Sequence, residues 1–163
     1  MKNLDLFFRI CKKQLDAIKI PYGNIVEVSV NKRFRSTWGR CHRLADGSGF
    51  RIEISGRLLE NDVPEESLMQ TLIHEIIHTC PNCMNHGAMW KYYADKINQA
   101  YGYRVKRTNA PEELEVKARD VDYPYQFQCV RCGQVVKRQK MSKFVKYYKR
   151  YRCGKCGGGF KKI

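Results

Sequence analysis

Two Cys-x-x-Cys pairs, Cys129 with Cys132 and Cys153 with Cys156, stand twenty residues apart near one end of the chain. Each pair offers two thiolates from a tight knuckle, and two such knuckles close a tetrahedral zinc site. The segment that carries them, residues 123–163, is too short to bury an adequate core by itself. Metal binding must therefore supply most of its folding free energy, and the expected structure is a small β zinc ribbon. A site closed by four thiolates leaves no position for water, so this zinc is expected to be structural.

The same block carries most of the charge. The chain holds 31 Lys+Arg against 16 Asp+Glu, a formal net charge of +15. Residues 121–163 contain twelve of the basic residues and one acid, Asp122, so +11 lies there. Four thiolates around a dication offset about two of those charges, which leaves the ribbon strongly basic. Lys137, Arg138, Lys140, Lys143, Lys146, Lys149, Arg150 and Arg152 are interleaved with aromatics that include Tyr147 and Tyr148. Cations suit phosphates and rings suit stacked bases, so these ten residues are the expected nucleic-acid contacts. Some aromatics of the block must instead fill the ribbon's core. With no base-reading helix in view, the expected partner is single-stranded DNA bound without sequence specificity. A solvated, solubilising basic face is the bland alternative.

The remainder reads as a helix, a small sheet and two more helices. Leu4, Phe7, Phe8, Cys11, Leu15 and Ile18 recur at helical spacing. Alternating stretches follow at Ile25–Val30 and Phe50–Ser55, with an extended stretch at Ser36–Arg43 between them, about three strands in all. Capping residues and Pro64 open a helix that runs to about Thr79, where Pro81 disfavours its continuation. Another helix runs from about Gly87 to Tyr101, with Gly102 as its stop. The fold class is therefore α+β. No run approaches the roughly 20 apolar residues of a membrane span, and charge interrupts the only apolar run near the start. A cytosolic or nuclear protein is expected, nucleoid-associated in a prokaryote, with no membrane partner and a monomeric state.

The long middle helix carries His74-Glu75-Ile76-Ile77-His78, an HExxH motif. One helical turn separates the histidines, so both can hold one zinc ion, with Glu75 beside it as general base. Leu68, Met69, Leu72, Ile73, Ile76 and Ile77 span one half of the helix. His74 and His78 project from the other half, towards an expected cleft. A catalytic zinc needs a third protein ligand and one open position. His86 is preferred as that ligand, with Cys80, Cys83, Glu112, Glu113 and Glu115 as competitors. Cys80 and Cys83 also read as a redox latch or as an inert loop beside the metal. His42 reads as a surface or packing residue.

Four stretches together resemble the SprT-like family. They are Thr37-Trp38-Gly39-Arg40-Cys41, Arg51 to Leu59, Gln70 to His78, and His86-Gly87. The resemblance covers roughly residues 4–100, and a zinc ribbon commonly follows in that family. It implies a small zincin-like metallopeptidase domain, with His74, His78 and His86 as zinc ligands and Glu75 as the catalytic residue. It also implies substrates that are proteins bound or crosslinked to DNA. The extended stretch with Trp38 and Gly39 is the candidate substrate-binding edge, along which a peptide can pair as an added strand.

The expected organisation is a metallopeptidase domain over residues 1–103, a linker over 104–122 and the ribbon over 123–163, with two zinc ions, one catalytic and one structural. Two rival readings stand beside it. One is a non-proteolytic nucleic-acid-binding zinc protein whose HExxH site is structural. The other is a zinc-dependent nucleic-acid hydrolase.

Overall fold

A computed structural model describes residues 1–116 and 122–163. They fall into two compact units that divide between these two stretches. The protein is α+β, with four α-helices and two three-stranded sheets among the described residues.

In the first unit, α1 (Leu4–Ala17) begins where the Asn3 side chain accepts the Leu6 N–H, satisfying an otherwise orphaned donor. Its apolar stripe buries Phe7, Cys11 and Leu15, and Leu4, Phe8 and Ile18 flank them at the margin of the core. Then come β1 (Ile25–Asn31), β2 (Gly39–Arg43) and β3 (Phe50–Ser55). The sheet order is β1-β3-β2, with β1 parallel and β2 antiparallel to the central β3. Ile52 and Ile54 of β3 are fully buried, whereas Val26 and Val30 of the edge strand β1 remain largely exposed. The ladder of β2 starts at Gly39, later than the extended stretch at Ser36 suggested, although the Trp38 carbonyl still accepts the Ser55 N–H.

The helix α2 (Glu65–Ile77) lies at the middle of this unit, against α1, β2, β3 and the following helix, α3 (Ala88–Tyr101). The sequence gives it one apolar half, but burial extends almost all round and includes Ser67, Gln70, Thr71 and Glu75. The cause is a strap of chain after α3. Val105, Leu114 and Val116, all within the stretch read as linker, are buried in the same core as α2. Polar side chains of α2 meet this strap: Ser67 Oγ donates to the Leu114 carbonyl (2.8 Å), and Gln70 Oε1 accepts the Arg104 N–H (2.9 Å). Of the expected linker, residues 117–121 lie outside the described residues. Gly102 ends α3 in the left-handed region, at φ 71°, where an L side chain is strained.

The second unit is an antiparallel sheet of order β5-β4-β6, built from β4 (Tyr125–Cys129), β5 (Val135–Arg138) and β6 (Phe160–Lys162). A short helix, α4 (Lys143–Tyr147), is capped by Ser142. Phe127 is fully buried, with the Phe144 and Tyr148 rings centred 5.1 and 4.8 Å from it. Such a core is small, as the length of the block requires.

The two faces of α1 should respond differently to truncation. Leu15→Ala should destabilise the protein by about 2–5 kcal/mol, because Leu15 is fully buried. Leu6→Ala, on the exposed face, should stay within about 0.5 kcal/mol. Urea unfolding followed by circular dichroism measures both.

Candidate metal centre and cleft

Local geometry brings three histidines to one point. His78 caps α2 in helical conformation (φ −59°, ψ −21°), so it stays stacked one turn beyond His74. The chain then turns through Asn82, at φ 58°, and returns His86 just before α3. The His74 and His86 Nε2 atoms lie 2.9 Å apart, those of His78 and His86 3.1 Å, and those of His74 and His78 3.3 Å.

The opposite ring nitrogens fix what these atoms are. His74 Nδ1 donates to the Lys106 carbonyl (3.0 Å) and His78 Nδ1 donates to the Cys83 carbonyl (2.7 Å). A carbonyl only accepts, so the protons sit on Nδ1 and the Nε2 lone pairs face one another. Burial, then the neighbouring His78 and His86, push the His74 pKa down to about 3. Burial likewise lowers His78, and burial followed by His78 and Arg107 lowers His86. The lone pairs of His74 and His78 Nε2 converge on one point beside His86 Nε2, and they repel unless a cation or a proton lies between them. Zinc with nitrogen at 2.0–2.1 Å in a tetrahedral shell spaces its ligands by roughly 3.3 Å, so the triad fits zinc. Trp90 is buried beneath, its ring centred 4.7 Å from His74 and from His86.

Glu75 sits under strand β2. A Cβ added to Gly39 would lie 2.6 Å from Glu75 Oε1, so only a glycine lets this backbone cross the carboxyl. Burial pushes the Glu75 pKa up to about 8, with Arg40 opposing the rise. A carboxyl poised near neutrality can both accept and release a proton. A cleft of about 290 Å³ opens beside it, lined by Trp38, Gly39, Thr71, His74, Glu75 and Arg107 among others.

In the second unit Cys129, Cys132, Cys153 and Cys156 place their sulfurs within 4.8 Å of one another. Cys129 and Cys156 lie 3.5 Å apart and Cys132 and Cys153 3.6 Å, far beyond a disulfide bond and close to the roughly 3.8 Å edge of a zinc tetrathiolate. Both knuckles share one turn. Gly133 N–H donates to the Cys129 carbonyl and Gly157 N–H to the Cys153 carbonyl, at φ 73° and 72°. Backbone N–H groups, first those of Cys132 for Cys129 and of Lys155 for Cys153, lower these two thiols towards the thiolate a metal needs, while the crowding of neighbouring sulfurs raises Cys156. This set also fits zinc.

The SprT-like family model matches residues 8–113, more than half of the chain. The chain belongs to the SprT-like family. Membership supports a protease-type, zinc-dependent function and identifies the triad's unit as the family's domain. The cysteine cluster is consistent with a zinc ribbon after the SprT-like region. No helix among the described residues is long and apolar enough to cross a membrane.

The structure brings His74, His78, His86, Glu75, Trp38 and Gly39 to one place in the SprT-like unit. The rival third ligands go elsewhere. Glu113 pairs with Lys106 and accepts the Ala110 N–H, and it is the carbonyl of Cys83, rather than its thiol, that meets His78. Among the described residues the cluster contains neither Glu112, Glu115 nor Cys80. His42 pairs with Glu53 on the sheet. In the ribbon, Lys137, Arg138, Lys140, Lys143, Lys146, Tyr147, Lys149, Arg150 and Arg152 are exposed. Tyr148 is half-buried against Phe127, so it packs the core before it can stack a base. Sequence reasoning did not single out Trp90, Arg107 or the Lys106 carbonyl. Trp90 left one faint trace, four residues after His86. The other two carry no local pattern.

Two measurements test the centre. His86→Ala should weaken zinc at the triad by at least about tenfold, whereas Cys83→Ser should leave it unchanged, since only the carbonyl faces His78. Competition with a chromogenic chelator reads both. Cys129→Ser should unfold the ribbon while the first unit keeps its helical circular dichroism, because the ribbon's folding depends on its metal.

Proposed function

We propose that this SprT-like protein is a zinc-dependent endopeptidase acting on proteins bound or crosslinked to DNA, with the basic ribbon as its DNA anchor. The burial of Glu75 beside the histidine triad, under the edge strand of an open cleft, is the observation that carries this reading. His74, His78 and His86 hold a catalytic zinc, and the four cysteines hold a second, structural one. When bound at the triad, zinc supplies a Lewis acid and lowers the pKa of water towards about 7. Glu75 takes a proton from the attacking water and delivers it to the leaving amine.

The edge strand positions the substrate. Among the described residues β2 has no neighbouring strand on its outer side, so a peptide can add there as a further strand, along Trp38 and Gly39. Because Gly39 crosses Glu75 so closely, a peptide paired at that point lies over the carboxyl. An idle or purely structural site has no use for a buried carboxyl in this position, which favours catalysis over a binding-only protein.

The charge division supports the anchor. Exposed cations on β5, α4 and the turn after it, with Tyr147 among them, suit the phosphates and bases of single-stranded DNA. Tethering such an anchor to the peptidase raises the local concentration of DNA-bound proteins at the cleft. The protein then works where DNA is, in the cytoplasm with the nucleoid or in a nucleus, as a monomer.

Glu75→Gln should retain zinc and lose cleavage of a protein bound to single-stranded DNA by about 100-fold or more. Binding of single-stranded DNA should fall with salt at a log–log slope of about −3 to −4, as for four to six neutralised phosphates. Removing residues 122–163 should abolish that slope and the advantage of DNA-bound over free substrates. Full cleavage by Glu75→Gln would refute the peptidase reading, and an unchanged slope after truncation would refute the anchor.

A further inference from the structure

Peptide hydrolysis concentrates charge at one atom. As the water oxygen bonds to the scissile carbonyl carbon, the carbonyl π pair moves onto oxygen and makes it an anion. The C–N bond then breaks and the amine leaves with the proton carried by Glu75. A fixed donor aimed at that oxygen lowers the barrier, because it is in place before the charge appears. No HExxH residue provides one.

We infer that Arg107 is that donor: its guanidinium binds the oxygen on which negative charge develops at the scissile carbonyl. The inference rests on the peptidase reading and adds a catalytic residue to it. Three observations support it. First, Arg107 lines the cleft together with His74 and Glu75, and it is the one Lys or Arg among the described lining residues. Second, the chain leading to it is tightly held. The Arg104 N–H bonds Gln70 Oε1 (2.9 Å), the Val105 N–H bonds Asn98 Oδ1 (2.8 Å), and the Lys106 carbonyl accepts from His74 Nδ1 (3.0 Å). Arg107 is thus the residue next to a carbonyl that orients a zinc histidine, and its backbone is preorganised relative to the metal. Third, its charge is not spent elsewhere. Lys106 turns to Glu113, whereas Arg107 makes no ion pair among the described residues.

The side-chain type fits the task. A guanidinium offers parallel N–H donors in a rigid fork, cannot lose its proton and is weakly hydrated. It stabilises the anion without exchanging a proton with it, so it does not compete with Glu75.

The test uses the full-length, zinc-loaded protein and the phosphoramidate N-phosphoryl-Leu-Ala, whose tetrahedral anion mimics the transition state. Affinity is measured by calorimetry for wild type, Arg107→Ala and Arg107→Lys, alongside the zinc affinity of each. Arg107→Ala should weaken the phosphoramidate by about 100-fold with zinc affinity unchanged, and Arg107→Lys should recover part of the loss. In parallel, hydrolysis of fluorescein-labelled casein should show kcat falling and KM holding for Arg107→Ala. Phosphoramidate affinity within threefold of wild type, no binding even by wild type, or a matching fall in zinc affinity would each overturn the inference. A raised KM with unchanged kcat would also overturn it, making Arg107 a ground-state binding residue. The casein assay with Glu75→Gln judges the peptidase reading separately. If that variant cleaves as fast as wild type, the peptidase reading fails, and the phosphoramidate affinities alone decide whether Arg107 forms an anion site.

Discussion

Three imidazole nitrogens face one another across about 3 Å, those of His74 and His78 with their lone pairs turned inwards, and the first unit is organised to impose that arrangement. Two backbone carbonyls do the decisive work. Cys83 holds His78 from the loop after α2, and Lys106 holds His74 from the strap after α3. Each fixes a tautomer as well as a ring orientation, so the free nitrogens are ligands in advance of any metal. Trp90 closes the underside, where it excludes water and raises the cost of charging the rings.

From that centre the surrounding structure follows. The strap must reach His74, so its side chains Val105, Leu114 and Val116 join the core and cover the polar flank of α2. The side chains it covers would be costly to bury alone, and Ser67 and Gln70 are satisfied by strap backbone. On the other side β2 passes so near Glu75 that residue 39 has no room for a Cβ. One buried carboxyl therefore couples the helix that bears the candidate metal ligands to the edge of the sheet.

The second unit answers a different problem. With Phe127 as the one fully buried large side chain among its described residues, it cannot rely on apolar burial. Four sulfurs on two matching knuckles take over, each knuckle turned by a glycine at positive φ. A metal bound by these sulfurs would supply the stability that so small a core cannot, and would leave the surface free to carry many exposed cations.

Much of this was legible in the sequence. Helical period alone stacks His74 on His78, the two-residue gaps alone make the knuckles, and Gly102 marks the end of α3. These features depend on residues a few positions apart, whose geometry is fixed by the covalent chain and the helix repeat. The all-round burial of α2, the carbonyl partners of the histidines and the place of Arg107 were not legible. They depend on pairs such as Ser67 with Leu114 and Gln70 with Arg104, more than thirty residues apart. Three scattered apolar residues in a mixed-charge stretch carry no periodicity, so residues 104–116 read as a connector. The sequence determined which residues could hold metal. Only tertiary packing decided which carbonyls orient them and which charge faces the cleft, because those choices depend on how distant segments dock.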